Sequence, residues 1–163
     1  MDLPRARPAE RLNAVAQPVP SGRVINDRNV IRRVLTTPLT WAVVGLSTDT
    51  SRTAHGVARW MKDALGHRIL PVHPRAVTVW GEPGYRRLAD IPDGTTVDVV
   101  DCFVRSAKVG EVVDQAIEQR ERLGIGTVWL QLGVVDHAAA QRALDAGLDV
   151  VMDTCPRIEY PRL

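Results

Sequence analysis

Cysteine is scarce in this sequence: Cys102 and Cys155 are the only two among 163 residues, and no C-x-x-C spacing occurs. A disulfide framework and a cysteine-based zinc site are thereby excluded, and a reducing cytosol is the expected setting. Long apolar runs are also missing. No stretch approaches the roughly 18 residues that signal a membrane-spanning helix. The N-terminal residues Pro4, Arg5, Arg7, Pro8 and Glu10 lack the apolar segment of a secretory signal. The expectation is a soluble, cytoplasmic protein with no membrane partner. A surplus of one charge is absent too. The formal charge is +2, and that excess lies within the first 23 residues, so that from Val24 onward 17 basic residues face 17 acidic ones. A nucleic-acid binder would carry a clustered basic face on its folded part, so no nucleic-acid partner is expected.

What is present is ordinary globular material. With 45% hydrophobic and 25% charged residues, the chain suffices for one domain with a sizeable core. Pro4, Pro8, Pro18 and Pro20, with little apolar periodicity around them, make residues 1–22 an expected flexible segment ahead of a single domain over 23–163. A helix is expected over about 27–36, capped by Asn26 or Asp27, with Val30, Ile31, Val34 and Leu35 at helical spacing.

From Trp41 the period changes. Trp41-Ala42-Val43-Val44-Gly45 reads as a buried strand. Val57, Trp60, Met61, Ala64 and Leu65 then recur as one face of a helix that Gly66 stops. A second strand follows over residues 68–74, weakened at its centre because Pro71 lacks a backbone donor. Residues 77–92 read as an irregular crossover with at most a short helical turn. A third strand is expected over residues 97–104, then a helix capped by Ser106, with Val109, Val112, Val113, Ala116, Ile117 and Leu123 inward, ending at Gly124. Thr127 to Gln131 is a fourth strand, Asp136 caps an alanine-rich helix, and Asp149 to Met152 is a fifth strand.

Apolar strands alternating with amphipathic helices imply an α/β fold: a Rossmann-like, doubly wound, mostly parallel sheet of about five strands in three α/β/α layers. In such sheets ligands bind beyond the carboxyl ends of the strands. The first strand ends at Gly45, Leu46 and Ser47 and opens into a helix, whose free amides and dipole favour an anion. The dinucleotide fingerprint G-x-G-x-x-G is not met, because Ser47 and Thr50 stand at its second and third glycine positions. Ser47 and Arg52 suit phosphate oxygens; equally, Ser47, Thr50 and Ser51 suit helix capping.

The second strand ends at His73, Pro74 and Arg75, with no acid for a ribose 2′-hydroxyl. A basic residue there suits a ribose bearing an extra phosphate, as in NADP or coenzyme A; the alternative for Arg75 is a solvated surface charge. The third strand ends at Phe103, Val104 and Arg105. Phe103 is the chain's only phenylalanine, placed to flank an adenine or to fill the core, and Arg105 reaches either phosphate or solvent. Gln131 and Gly133 end the fourth strand, the glycine permitting close backbone approach.

From Thr40 to Leu163 the chain resembles the small stand-alone CoA-binding domain proteins, whose fold is similar to the CoA-binding domain of succinyl-CoA synthetase alpha subunits. The residues carrying the resemblance are Ala42-Val43-Val44-Gly45-Leu46-Ser47 with Ser51-Arg52, Ile69 to Pro74, Tyr85 to Pro92, Val97 to Asp101, Val128 to Gly133, and Val150 to Pro156 with the ending Ile158 to Leu163. The resemblance implies coenzyme A lying across the strand ends. Phosphates would sit near Gly45, Leu46, Ser47 and Arg52, adenosine near His73, Pro74, Arg75 and Phe103, and pantetheine would run toward Gln131 and Gly133, with Val104, Arg105 and Val109 completing the lining. The family usually carries Asn before the proline of the second strand end, where this chain has His73.

No catalytic residue is expected. Succinyl-CoA synthetase works with a phosphorylatable histidine on a second domain and with an ATP-grasp subunit, and neither is expected within these residues. His55, His67 and His137 read as surface or cap residues, Cys155 as a buried strand-end thiol, and Asp101 and Asp153 as caps rather than a pair. No metal-ligand spacing occurs. The function expected is binding of coenzyme A or an acyl-CoA by a carrier, sensor or accessory module, with a homodimer or a partner enzyme as the possible assembly. The alternative is an NADP-linked oxidoreductase or redox-responsive regulator on the same fold.

Overall fold

The computed structural model describes residues 22–163, so the expected flexible segment lies outside the described residues except for Gly22. Helix α1 (Arg28–Thr36) starts where Asp27 accepts the Asn29 amide at 2.8 Å, and it buries Val30, Ile31, Val34 and Leu35. Asn26 takes a different role from capping. Its side chain donates to the Met152 carbonyl at 3.0 Å and accepts the Met152 amide at 2.7 Å, and its own amide donates to the Val150 carbonyl.

Strand β1 (Thr40–Val44), helix α2 (Thr53–Leu65) and strand β2 (Arg68–Val72) form the first unit. The buried stripe of α2 is Ala54, Val57, Ala58 and Met61; Trp60 and Leu65 are partly buried and Ala64 is exposed, so the stripe is turned toward the small alanines. Small side chains there let the helix lie close to the sheet. Pro71 sits in β2 without cost to the ladder. Val72 faces β1, since its carbonyl accepts the Gly45 amide at 2.8 Å, so the missing donor of Pro71 points to the outer edge. On that edge the Pro71 carbonyl accepts the Tyr85 amide at 3.0 Å.

The crossover contains one turn of 3₁₀ helix over Leu88–Asp90. Strand β3 (Val99–Cys102) is shorter than expected, because Val97 pairs with the Leu123 carbonyl at the end of the following helix and not with a strand. Helix α3 (Ser106–Leu123) begins after Arg105, and no side chain caps it. The expected cap Ser106 is its first residue, and the hydroxyl is drawn to the neighbouring loop instead: it donates to the Gly133 carbonyl at 3.3 Å and accepts the Val135 amide at 2.9 Å. Strand β4 (Thr127–Leu130), helix α4 (His137–Asp145), capped by Asp136 on the Ala139 amide, and strand β5 (Asp149–Val151) follow. The chain then folds back as a short helix α5 (Pro156–Glu159) and a 3₁₀ turn, which periodicity did not announce.

All strand pairs are parallel, in the order β2-β1-β3-β4-β5. The chain leaves β1 toward β2 on one side and returns to β3 on the other, so the topological switch lies between β1 and β3. One face of the sheet packs on α3 and α4 through Val100, Val113, Val128 and Ala140; the other packs on α1 and α2 through Leu35, Trp41, Met61 and Trp129. His67 corrects the expectation of a surface or cap residue. It is buried in this second layer, its ring 5.2 Å from Trp41 and its Nδ1 accepting the Leu39 amide at 3.1 Å. Burial pushes its pKa down to about 4.

Candidate functional site

The carboxyl ends of the strands open onto a groove of about 880 Å³ at the switch point. Gly45 begins it. With φ at +102°, and with an added Cβ only 2.4 Å from the Phe103 carbonyl oxygen, this position must be glycine for β1 to end tightly against β3. The chain then turns through Ser47, whose Oγ accepts the Asp49 amide, and Asp49, whose carboxylate accepts the Ser51 amide at 3.0 Å. These bonds organise the loop and leave α2 itself without a side-chain cap after Arg52. Its first amides therefore face the groove as a dipole end suited to an anion.

Two guanidiniums flank that end. Arg52 is 3.6 Å from Asp49 and three-quarters exposed, and Arg75 enters no ion pair among the described residues. His73 lies with them. Its pKa is lowered by partial burial and by the nearby positive charges of Arg75 and Arg52, which disfavour a third cation. The same ring shapes the turn: Nδ1 of His73 accepts the Arg75 amide at 3.1 Å, the two-residue turn bond that an Asx side chain makes. Asp49, held by Ser51 and Arg52, stays ionised below the usual carboxylate range.

Of the residues singled out from sequence, Gly45, Ser47, Arg52, His73, Pro74, Arg75, Phe103, Val104, Arg105 and Gln131 line this one groove. Gly133 stands between two further lining residues, Leu132 and Val134, with open space where a Cβ would be. Leu46 and Val109 depart from the expectation. Both side chains are wholly buried, Leu46 just past β1 against the α1–α2 layer and Val109 on the inward face of the first turn of α3 against the α3–α4 layer. Sequence reasoning missed Asp49, Thr53, Ala54, Leu132, Val134 and Ile158. Cys155 and Ile158 follow the fifth strand; Cys155 reads from sequence as a buried strand-end thiol, and the structure instead leaves it half-buried on the groove wall.

Asp101 is neither cap nor exposed acid. It is fully buried on β3, where Gln131 Nε2 donates to its Oδ1 at 2.6 Å and its Oδ2 has no partner among the described residues. Burial drives its pKa up to about 7, outweighing the Gln131 hydrogen bond. Asp153 instead accepts the Gly133 amide at 2.8 Å and so fixes the β4 loop. Cys155 is half-buried, and burial raises its thiol above the ordinary range. Among the described residues no group of three or more His, Cys, Asp or Glu is arranged to hold a metal, and no helix is long and apolar enough to cross a membrane.

A doubly wound parallel sheet with a cationic groove across its switch point defines a nucleotide-binding α/β domain of the Rossmann-like class. Comparison with known proteins narrows it: the family described as the CoA binding domain matches residues 39–161, and the chain belongs to that family. The Bacillus subtilis protein YneT is 33% identical over 130 residues, spanning 80% of this chain and 91% of its own length. A solved Pyrococcus horikoshii protein is 33% identical, with a TM-score of 0.74 and coverage of 90% of this chain and 96% of the other. The dinucleotide-forming acetyl-coenzyme A synthetase 1 of Ca. Korarchaeum cryptofilum shares the fold at 24% identity and a TM-score of 0.60, over 76% of this chain and 27% of the synthetase.

Proposed function

We propose that this chain binds coenzyme A, free or as a thioester, in the groove across the strand ends, as a carrier, sensor or accessory module with no catalytic residue of its own. The observation that carries the reading is the clustering of Arg52, His73 and Arg75 beside the uncapped start of α2. This donor set fits the ligand's phosphates. In the proposed arrangement the α2 amides, Ser47 and Arg52 hold the pyrophosphate, and Arg75 reads the ribose 3′-phosphate. Pro74 and Phe103 flank the adenine, while Val104 and Arg105 border the pantetheine arm on its way past Gln131 and Gly133. An NADP ligand would meet the same Arg75, but the chain lacks the second and third glycines for its pyrophosphate.

The test is calorimetric titration with coenzyme A, dephospho-coenzyme A and NADP at a single salt concentration, since the contacts are ionic. Coenzyme A binds saturably, the dephospho form more weakly, and NADP not at all. Arg75→Ala costs on the order of 1 to 3 kcal/mol against coenzyme A and little against the dephospho form. Equal losses for both would remove Arg75 from the role of phosphate reader, and NADP binding with coenzyme A silent would overturn the whole reading.

A further inference from the structure

Asp101 and Gln131 each lie two residues past a member of the core beneath α1 and α2, Val99 and Trp129, and so turn to that side of the sheet. Asp101 is sealed, whereas Gln131 is 4% exposed and lines the groove. Their bond has a direction. An ionised carboxylate only accepts, so the side of the amide turned to Asp101 must be Nε2, which donates to Oδ1 at 2.6 Å. The amide oxygen is thereby turned away from the acid. Gln131 Oε1 accepts no hydrogen bond among the described residues, yet it is not one of the sealed, unpartnered polar atoms, so it opens onto the groove. The anchor is costly to the fold. Asp101 lies wholly inside with Oδ2 unmet and its pKa raised to about 7 by burial, and Gln131 is the only side chain among the described residues that hydrogen-bonds it. An apolar residue would pack at this position without that penalty. What the acid adds is the orientation of one amide.

Resting on the coenzyme A reading, we propose that Asp101 is a positioning residue for the ligand: it locks the Gln131 amide so that Oε1 faces the groove as the acceptor for an amide N–H of the pantetheine arm. Asp101 itself touches nothing of the ligand. A free glutamine amide can present either its donor or its acceptor, and binding would then have to order it. With Nε2 held by the acid, the acceptor is set before the ligand arrives.

The full chain is titrated at about pH 8, where Asp101 is ionised, with coenzyme A and with adenosine 3′,5′-bisphosphate, which keeps the adenosine and its 3′-phosphate and lacks the arm. Asp101→Leu weakens coenzyme A about fivefold to tenfold and leaves the bisphosphate within about twofold. Gln131→Met does the same, and the double variant loses no more than either single one, because both changes remove one contact. Asp101→Asn keeps an acceptor for Nε2 and restores most of the affinity. Asp101→Ala, which only removes atoms, stands in should the leucine not fold, and shows the same split between the two ligands. If coenzyme A does not bind the native chain, the binding reading and this one fall together. If it binds, the positioning role alone is overturned by any of four results: no loss in Asp101→Leu, equal losses for the two ligands, losses that multiply in the double variant, or no recovery from leucine to asparagine.

Discussion

Acid should reveal His67. In the fold its ring is buried beside Trp41, and this burial holds its pKa at about 4 against an ordinary 6.5, keeping neutral the ring whose Nδ1 accepts the Leu39 amide. The unfolded chain therefore takes up this proton first. A base with a depressed folded pKa contributes stability that is complete above about pH 6.5 and is lost as pH falls toward about 4, where both states are protonated. Integrated over that window, the loss reaches about 2 kcal/mol by about pH 5 and about 3 kcal/mol at its limit. Asp101 runs the opposite way. Its folded pKa of about 7 lies above the usual carboxylate value of 3.8, so its contribution falls as pH rises between those values. The two slopes offset each other, and the curve of the native protein alone is a poor witness. Urea unfolding of the native chain and of His67→Asn, which keeps an acceptor for the Leu39 amide but does not titrate, isolates the histidine. Between about pH 7 and about pH 5 the native chain should lose about 2 kcal/mol more than the variant. Parallel curves for the two proteins would refute a buried, neutral His67.

Two further outcomes concern the groove. Asp49→Asn keeps an acceptor for the Ser51 amide while removing the negative charge 3.6 Å from Arg52, so coenzyme A should bind severalfold tighter; unchanged or weaker calorimetric affinity would mean that Arg52 does not meet a phosphate. Gly45→Ala sets a Cβ against the Phe103 carbonyl at a positive φ, and should destabilise the fold by about 2 kcal/mol or more. A melting temperature within a degree or so of the native value would contradict the close β1–β3 approach.

Much of the architecture was legible because it rests on local periodicity. The run Trp41 to Val44 and the stripe containing Val57 and Met61 announce a buried strand and a helix laid on it. Glycine at position 45 marked the strand end, although the reason for it lies 58 residues away at Phe103. What could not be read locally were pairings between distant elements. His67 reads as a residue beside a helix stop until the register of β1 and β2 brings Trp41 over it. Asp101 and Gln131 look like separate strand-end polar residues until β3 and β4 align and leave one buried acid held by one amide. Ser106 has the chemistry of a cap, and only the fold shows the loop from Gly133 to Val135 competing successfully for its hydroxyl.

The sheet's two edges have a consequence for assembly. On the β2 side Tyr85 takes the Pro71 carbonyl and the His73 amide, and Pro71 offers no donor. On the β5 side Asn26 occupies Val150 and Met152 with three bonds from backbone and side chain. Among the described residues both flanks are thus partly covered, which disfavours strand-to-strand aggregation there. Adding a further strand at either edge would therefore have to displace Tyr85 on one side or Asn26 on the other, whereas a ligand entering at the strand ends displaces neither.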